Sequence, residues 1–242
     1  MALTGTSVAP YWSVFTRRWF LVALAVAAPA LGGCGRKANA SDAALGLDEI
    51  RYLALGDSFT AGTGNPPSAA FPSRLASLWR AHGRTVTLKN VAVNGYTTED
   101  VLEQEIPQVA PFRPTLVTLA VGANDRVHGW SADVYRSNVR VLFRAIIDAG
   151  VTPNRIVALP QPDWSLSPAA TSFGDPAQIG ADIVAFNGIL RDEARAAGAR
   201  YVDLYPLMHQ EAETKMLASD GLHPSASSHE QWAAALFDQI EP

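Results

Sequence analysis

Apolar positions recur along this chain with two periods, every second residue and every third to fourth, and the switches between them divide it into strands and helices. A strand-type run, Tyr52-Leu53-Ala54-Leu55-Gly56, stops at Asp57-Ser58. Leu75, Leu78 and Trp79 stand at helix spacing within residues 73–82, and Gly83 is a C-cap signal. Residues 85–93 alternate as a second strand that ends at Asn94-Gly95. Residues 97–109 read as a helix broken near Pro107, with Thr97 or Thr98 as its cap and Glu99 or Asp100 in its first turn. The continuous apolar run 115–121 is of the kind buried on both faces of a sheet, and it ends at Gly122-Ala123-Asn124-Asp125. Residues 131–149 form a long helix with Tyr135, Val139, Leu142 and Ile146 on one face. A fourth strand spans 155–159, a helix with Ile179, Ile183, Phe186 and Leu190 in register spans 178–197, and a fifth strand spans 200–204. Ser225 or Ser227 caps the last helix, the latter with Glu230 in capping-box position.

Strand and helix alternating about five times predict a parallel sheet with helices on both faces, and a ligand site at the carboxyl ends of its strands. The polar clusters fall at those ends: Asp57-Ser58, Asn94-Gly95 and Asn124-Asp125 after the first three strands. Asp220-Gly221-Leu222-His223-Pro224 follows the fifth. An isolated Gly-Asp-Ser is more often a helix cap than a nucleophile. The downstream clusters change that balance.

A serine hydroxyl attacks poorly until a base takes its proton, and neutral imidazole does this near neutral pH. His223 is the candidate base for Ser58. Asp220, three residues before His223 on a glycine-containing turn, can bond the other ring nitrogen and steady the cation. Attack on an ester carbonyl creates an oxyanion that needs preset donors. The N–H of Ser58, the N–H of Gly95 and the side-chain amide of Asn124 suit that role.

Taken together, Gly56-Asp57-Ser58-Phe59, Gly95, Gly122-Ala123-Asn124-Asp125 and Asp220-Gly221-Leu222-His223-Pro224 resemble, in order, the four blocks of the SGNH or GDSL hydrolases. The resemblance implies a three-layer α/β/α fold on a mostly parallel five-stranded sheet. It also implies that Ser58 is nucleophile, Gly95 and Asn124 complete the oxyanion hole, Asp220 orients and His223 is base, with no metal and no cofactor. Phe59 stands where the family typically has leucine, a change to the wall of the site.

The chain has 242 residues, 48% hydrophobic and 17% charged, which suits one globular hydrolase domain, placed at residues 50–242. A net charge of −4 with no cluster of Lys and Arg argues against a nucleic-acid partner. A monomer acting on a small-molecule, lipid or acylated-sugar ester is expected. Arg17-Arg18 precede 15 uncharged residues, Trp19 to Gly33, too few to span a bilayer. They read as an export signal resembling the twin-arginine type. Leu31-Gly32-Gly33-Cys34 resembles a bacterial lipobox, and Cys34 is the chain's only cysteine, so no disulfide forms within it. The expected arrangement is a signal over 1–33, lipid on Cys34, a tether over 34–49 and a cell-envelope location facing away from the cytoplasm.

Other residues take structural readings. His82, His128, His209 and His229 are expected on the surface, and Asp57 and Asp125 are expected to accept turn N–H groups. Trp130, Trp164 and Phe173 either line a pocket or fill loops. Gly62-Thr63-Gly64 lacks the rest of any phosphate-loop pattern. A non-catalytic ligand-binding lipoprotein on the same scaffold is the alternative, disfavoured by the intact Ser58, Asp220 and His223. A flavodoxin-like nucleotide binder lacks a phosphate-binding glycine motif.

Overall fold

The computed structural model describes residues 49–242; the expected signal, Cys34 and the expected tether up to residue 48 lie outside the described residues. Strand β1 (Glu49–Gly56) runs into the short helix α1 (Ser58–Ala61), and α2 (Phe71–Ala81) returns the chain to β2 (Thr85–Asn90). Helices α3 (Thr98–Asp100) and α4 (Val109–Phe112) precede β3 (Leu116–Ala120). Helices α5 (Ala123–Val127) and α6 (Ala132–Asp148) lead to β4 (Ile156–Ala158), and α7 (Pro176–Ala196) to β5 (Arg200–Tyr201). Helices α8 (Tyr205–Glu213) and α9 (Ala226–Phe237) complete the fold.

The strand order is β2-β1-β3-β4-β5 and every pairing is parallel. Parallel neighbours need long crossovers, which the helices supply on both faces. Side chains alternate across each strand, so Leu53, Leu55, Val117 and Leu119 pack against α6 and α7. Ile50, Tyr52, Ala54 and Leu116 pack instead against Leu75 and Trp79 of α2 and Trp232 and Leu236 of α9. The expected three-layer α/β/α architecture is the observed one. The chain leaves β1 toward β2 and later returns to the other side as β3. The crevice between the carboxyl ends of β1 and β3 is therefore the topological switch point, and Ser58 and Asn124 emerge there.

The structure departs from the sequence pattern at β2, in residues 97–109, at β5 and at α8. Strand β2 ends at Asn90, whose side chain accepts the Ala92 N–H at 3.2 Å and donates to the Thr60 carbonyl at 2.9 Å, while Val91 and Val93 still donate their N–H groups to Ala54 and Gly56 of β1. The segment 97–109 is not one helix. Thr97 and Asp100 form a capping box over α3, Val101–Glu105 widens to a π turn and Ile106–Gln108 tightens to a 3₁₀ turn before α4. Pro107 has no N–H and its ring crowds the carbonyl four residues back, so the coil opens ahead of it. Strand β5 is only two residues long because Asp203 accepts the Tyr205 N–H at 3.1 Å and starts α8. Helix α8 escapes the periodicity because it buries only Met208 and Glu211. Ser225, not Ser227, caps α9, accepting the Ser228 N–H. Among the described residues no helix is long and apolar enough to cross a membrane.

Candidate active site

Gly56 ends β1 with φ 147°, and a Cβ there would lie 2.2 Å from the Ala120 carbonyl oxygen, so only glycine lets β1 and β3 close at this point. Asp57 caps α1 by accepting the Phe59 N–H at 3.0 Å. Ser58 is thus the first residue of a helix, where its own N–H has no intrahelical acceptor. That N–H makes no hydrogen bond among the described residues. Gly62, at φ 80°, closes the short helix by donating its N–H to the Ser58 carbonyl.

His223, the expected base, is held from the opposite loop. Asp220 Oδ1 accepts the N–H groups of Leu222 and His223, each at 3.0 Å, and Oδ2 accepts His223 Nδ1–H at 2.7 Å. Burial works to raise the Asp220 carboxyl, but the Leu222 N–H, the His223 ring and the His223 N–H together hold it below the ordinary range. It therefore stays anionic and keeps the proton on Nδ1, which leaves His223 Nε2 as the acceptor. The two loops are also joined directly: Asn65 donates its side-chain amide to the Pro224 carbonyl at 2.9 Å.

The two further expected donors, Gly95 and Asn124, follow β2 and β3. Gly95 has φ 88°, and nothing lies within 4 Å of a Cβ built on it, so backbone conformation rather than space requires glycine. Its N–H makes no hydrogen bond among the described residues. Asn124 opens α5 and donates one amide hydrogen to the Tyr96 carbonyl at 2.9 Å, which orients the second. Asp125 accepts the Thr98 N–H at 3.1 Å and the Thr98 hydroxyl, binding α5 to the segment that carries Gly95. Asp57 and Asp125 thus do what was expected of them.

All the expected catalytic residues but Asp220 line one pocket of about 260 Å³, and Asp220 stands directly behind His223. Phe59, Val127, Trp164, Phe173 and Leu222 form its apolar wall, and His223 is its one titratable lining residue. Trp164 meets Phe173 edge to face with centroids 5.7 Å apart, while Arg126 donates to the Phe173 carbonyl at 2.8 Å and pairs with Asp182 at 3.1 Å. Trp130 is absent from the lining and lies beside His128 instead.

One histidine differs from expectation. His229 is fully buried under α2, its Nδ1 accepting the Phe71 N–H at 3.3 Å, and burial with a smaller contribution from His223 pushes its pKa down to about 4. The apolar stripe of α9, with Trp232 and Leu236, carries His229 inward. His209 Nδ1 bonds Asp163 at 2.8 Å and fastens the turn that carries Trp164 to α8. The sequence pattern also missed Glu105, buried between Val101 and Val109, whose Oε2 accepts the Gly56 N–H at 2.9 Å. Its spacing at i+4 from Val101 and i−4 from Val109 was the available signal, because a carboxyl in a core stripe requires a partner. Among the described residues no group of three His, Cys, Asp or Glu side chains is arranged to hold a metal ion.

An arylesterase of Vibrio mimicus is 36% identical over 101 residues, 41% of this chain and 50% of the relative, so the chain aligns with about half of that protein's length. The lipase/acylhydrolase from Enterococcus faecalis superposes with a TM-score of 0.63 at 22% identity, covering 80% of this chain and 95% of that one. Axe2, an acetylxylan esterase from Geobacillus stearothermophilus, superposes with a TM-score of 0.64 at 17% identity, covering 81% and 94%. At these identities the two structures establish the shared fold. Residues 54–231 match the GDSL-like lipase/acylhydrolase family, a span that contains Ser58, Gly95, Asn124, Asp220 and His223, and the chain belongs to that family.

Proposed function

We propose that this protein hydrolyses carboxylic esters through an acyl-enzyme on Ser58. The observation that carries the reading is the 2.7 Å bond from His223 to Asp220 in a site where Ser58 and three oxyanion donors line the same pocket. His223 Nε2 takes the Ser58 proton as Oγ bonds the ester carbon. The oxyanion is received by the N–H groups of Ser58 and Gly95 and the amide of Asn124. Collapse expels the alcohol, which leaves with the proton from His223, and water repeats the steps to release the acid and restore Ser58.

The apolar, aromatic lining and the small volume favour neutral esters with a short acyl or aryl group. The Vibrio mimicus arylesterase is consistent with this choice. The lipobox-like segment supports export and attachment to a membrane by lipid on Cys34, where two or more acyl chains, at about 0.8 kcal/mol per buried CH₂, hold a protein stably.

The test of the reaction is covalent labelling by a fluorophosphonate. Ser58 should carry the adduct, and Ser58→Ala and His223→Ala should each lose labelling and turnover. Full labelling of Ser58→Ala would assign the nucleophile elsewhere. For the location, Cys34→Ser should leave the membrane fraction, and its retention there as a cleaved protein would refute lipidation.

A further inference from the structure

Three carboxyl groups lie fully buried behind the nucleophile: Asp57, Glu105 and Asp125. Asp125 has the Thr98 N–H and hydroxyl as donors. Asp57 and Glu105 are only half satisfied. Asp57 Oδ1 takes the Phe59 N–H and Glu105 Oε2 takes the Gly56 N–H, while Asp57 Oδ2 and Glu105 Oε1 have no hydrogen-bond partner. Gly56 and Asp57 are consecutive, so the two carboxyls grip adjacent points of one turn, and they are electrostatically coupled. A buried, unpartnered carboxylate oxygen is costly, and two on electrostatically coupled carboxyls are more so, although the Ala123 N–H lies close enough to Asp57 to offset part of its cost. One proton placed between them satisfies both.

We propose that Glu105 is a positioning residue for the nucleophile: as a carboxylic acid it donates its proton to Asp57, directly or through one buried water, and this shared proton locks the turn that presents Ser58. Asp57 sets the start of α1 through the Phe59 N–H, and Glu105 sets the end of β1 through the Gly56 N–H. The shared proton joins the two. Its removal leaves two like charges in a dry site against the residue that must hold Ser58 Oγ and N–H in register.

The surroundings agree. The charged groups that act on the pair are themselves carboxylates: Asp125 on Asp57 from α5, and Asp100 on Glu105 from α3. Tyr135 from α6 couples to Asp57 and Asp125, and His128 couples to Asp125. No lysine or arginine is among the groups acting on either carboxyl, so a proton is what remains to neutralise them. Burial, the largest cause for each, raises Asp57 to about 7 and Glu105 to about 9, and between those values the pair holds one proton. A π turn, Val101–Glu105, places the glutamate there in the middle of a stripe otherwise made of Val101 and Val109.

The proposal rests on the esterase reading for its kinetic readout alone; its stability readout is independent. Glutamine at 105 can accept the Gly56 N–H and donate to Asp57 without titrating, whereas leucine can do neither. Glu105→Leu should lower kcat about tenfold to hundredfold with little change in KM. Glu105→Gln should recover most of that loss, and the fall of kcat on the alkaline side, near pH 9 in the parent enzyme, should move to higher pH. In denaturant unfolding of the full chain, a carboxyl raised in the folded state adds stability that is present at low pH and is lost as pH rises to its folded pKa. From about pH 7 to 9 the parent's folding constant should fall by as much as about tenfold per pH unit, and Glu105→Gln should remove that slope. An unchanged slope in Glu105→Gln, or a glutamine variant as slow as the leucine one, would overturn the proposal. Should Glu105→Leu fail to fold, the glutamine variant and the parent still decide the matter. Should the parent hydrolyse no ester, the unfolding slope decides it.

Discussion

Gly64 stands against Asp220: a Cβ on Gly64 would come within 3.1 Å of Asp220 Oδ2 and 2.8 Å of the Ala218 Cβ. The backbone at Gly64, with φ 84°, is also one that other residues adopt at a cost. The loop after Ser58 therefore forms a wall for Asp220, which accepts the His223 Nδ1–H, and the neighbouring Asn65 donates to the Pro224 carbonyl of the loop that carries both. Gly64→Ala should displace the Asp220 carboxylate, lowering kcat by about tenfold or more while leaving KM nearly unchanged. Its stability should fall by roughly 1 to 2 kcal/mol. Steady-state kinetics with a urea titration of the same variant checks both.

Asn124 separates two explanations of its conservative replacement. Asn124→Ala removes one donor to the oxyanion and should cost about 10² to 10³ in kcat with little change in KM. Asn124→Asp removes the donor to the Tyr96 carbonyl as well and aims a carboxylate at a developing negative charge. At about 3 Å and an effective dielectric near 20, two unit charges repel by roughly 5 kcal/mol, an upper figure because aspartate can protonate. The expected order of kcat near neutral pH is Asn, then Ala, then Asp. A folded Asp variant faster than the Ala variant would return Asn124 to a turn-forming role.

Phe173 tests whether the aromatic wall selects substrate. It lines the pocket, is 38% exposed and packs on Trp164, so its truncation opens the rim with little effect on the core. Phe173→Ala should move the ratio of kcat/KM values between bulky and short acyl esters by about tenfold in favour of the bulky ones. Rates on an ester series of graded chain length measure this. An unchanged ratio would leave Phe173 a loop-packing residue.

His229 makes acid stability a property of the core. It is buried, its Nε2 has no hydrogen-bond partner, and its pKa is lowered from 6.5 to about 4, so it folds in the neutral form. A histidine depressed in the folded state contributes stability that is whole above about pH 6.5 and is lost as pH falls toward 4. Glu211, raised by burial to about 7, acts with the opposite sign, gaining stability as pH falls from 7. His229→Gln should therefore lose less stability than the parent between pH 6.5 and 4. Unfolding midpoints across that range give the difference, and parallel curves would exclude the histidine as the cause.

Much of the site was legible because its parts are local. Asp220 and His223 are three residues apart on one glycine turn, so their bond is set by a few dihedral angles. Asp57 caps the helix that begins at Ser58, and Asx capping needs only the adjacent N–H groups. The central strands β1, β3 and β4 were legible from apolar runs, because a strand buried on both faces of a parallel sheet admits little else, and the edge strand β2 was legible from its alternation. What the chain order could not show depends on contacts between distant residues. Glu105 stands at helix spacing between Val101 and Val109, which marks it for burial but not its partner, and only the π turn before Pro107 and the packing of β1 bring it to Gly56, 49 residues away. His229 and His209 look alike in sequence, yet the helix faces that α9 and α8 present place one in the dry core and the other over Asp163. Near the ends of β2 and β5, the Asn90 and Asp203 side chains take the Ala92 and Tyr205 N–H groups, local bonds whose place in the fold depends on the packed sheet. Local sequence determines which conformations a segment prefers. Burial and partner geometry, which exist only once the segments pack, determine the protonation of its carboxyls and the residues that hold Ser58 in place.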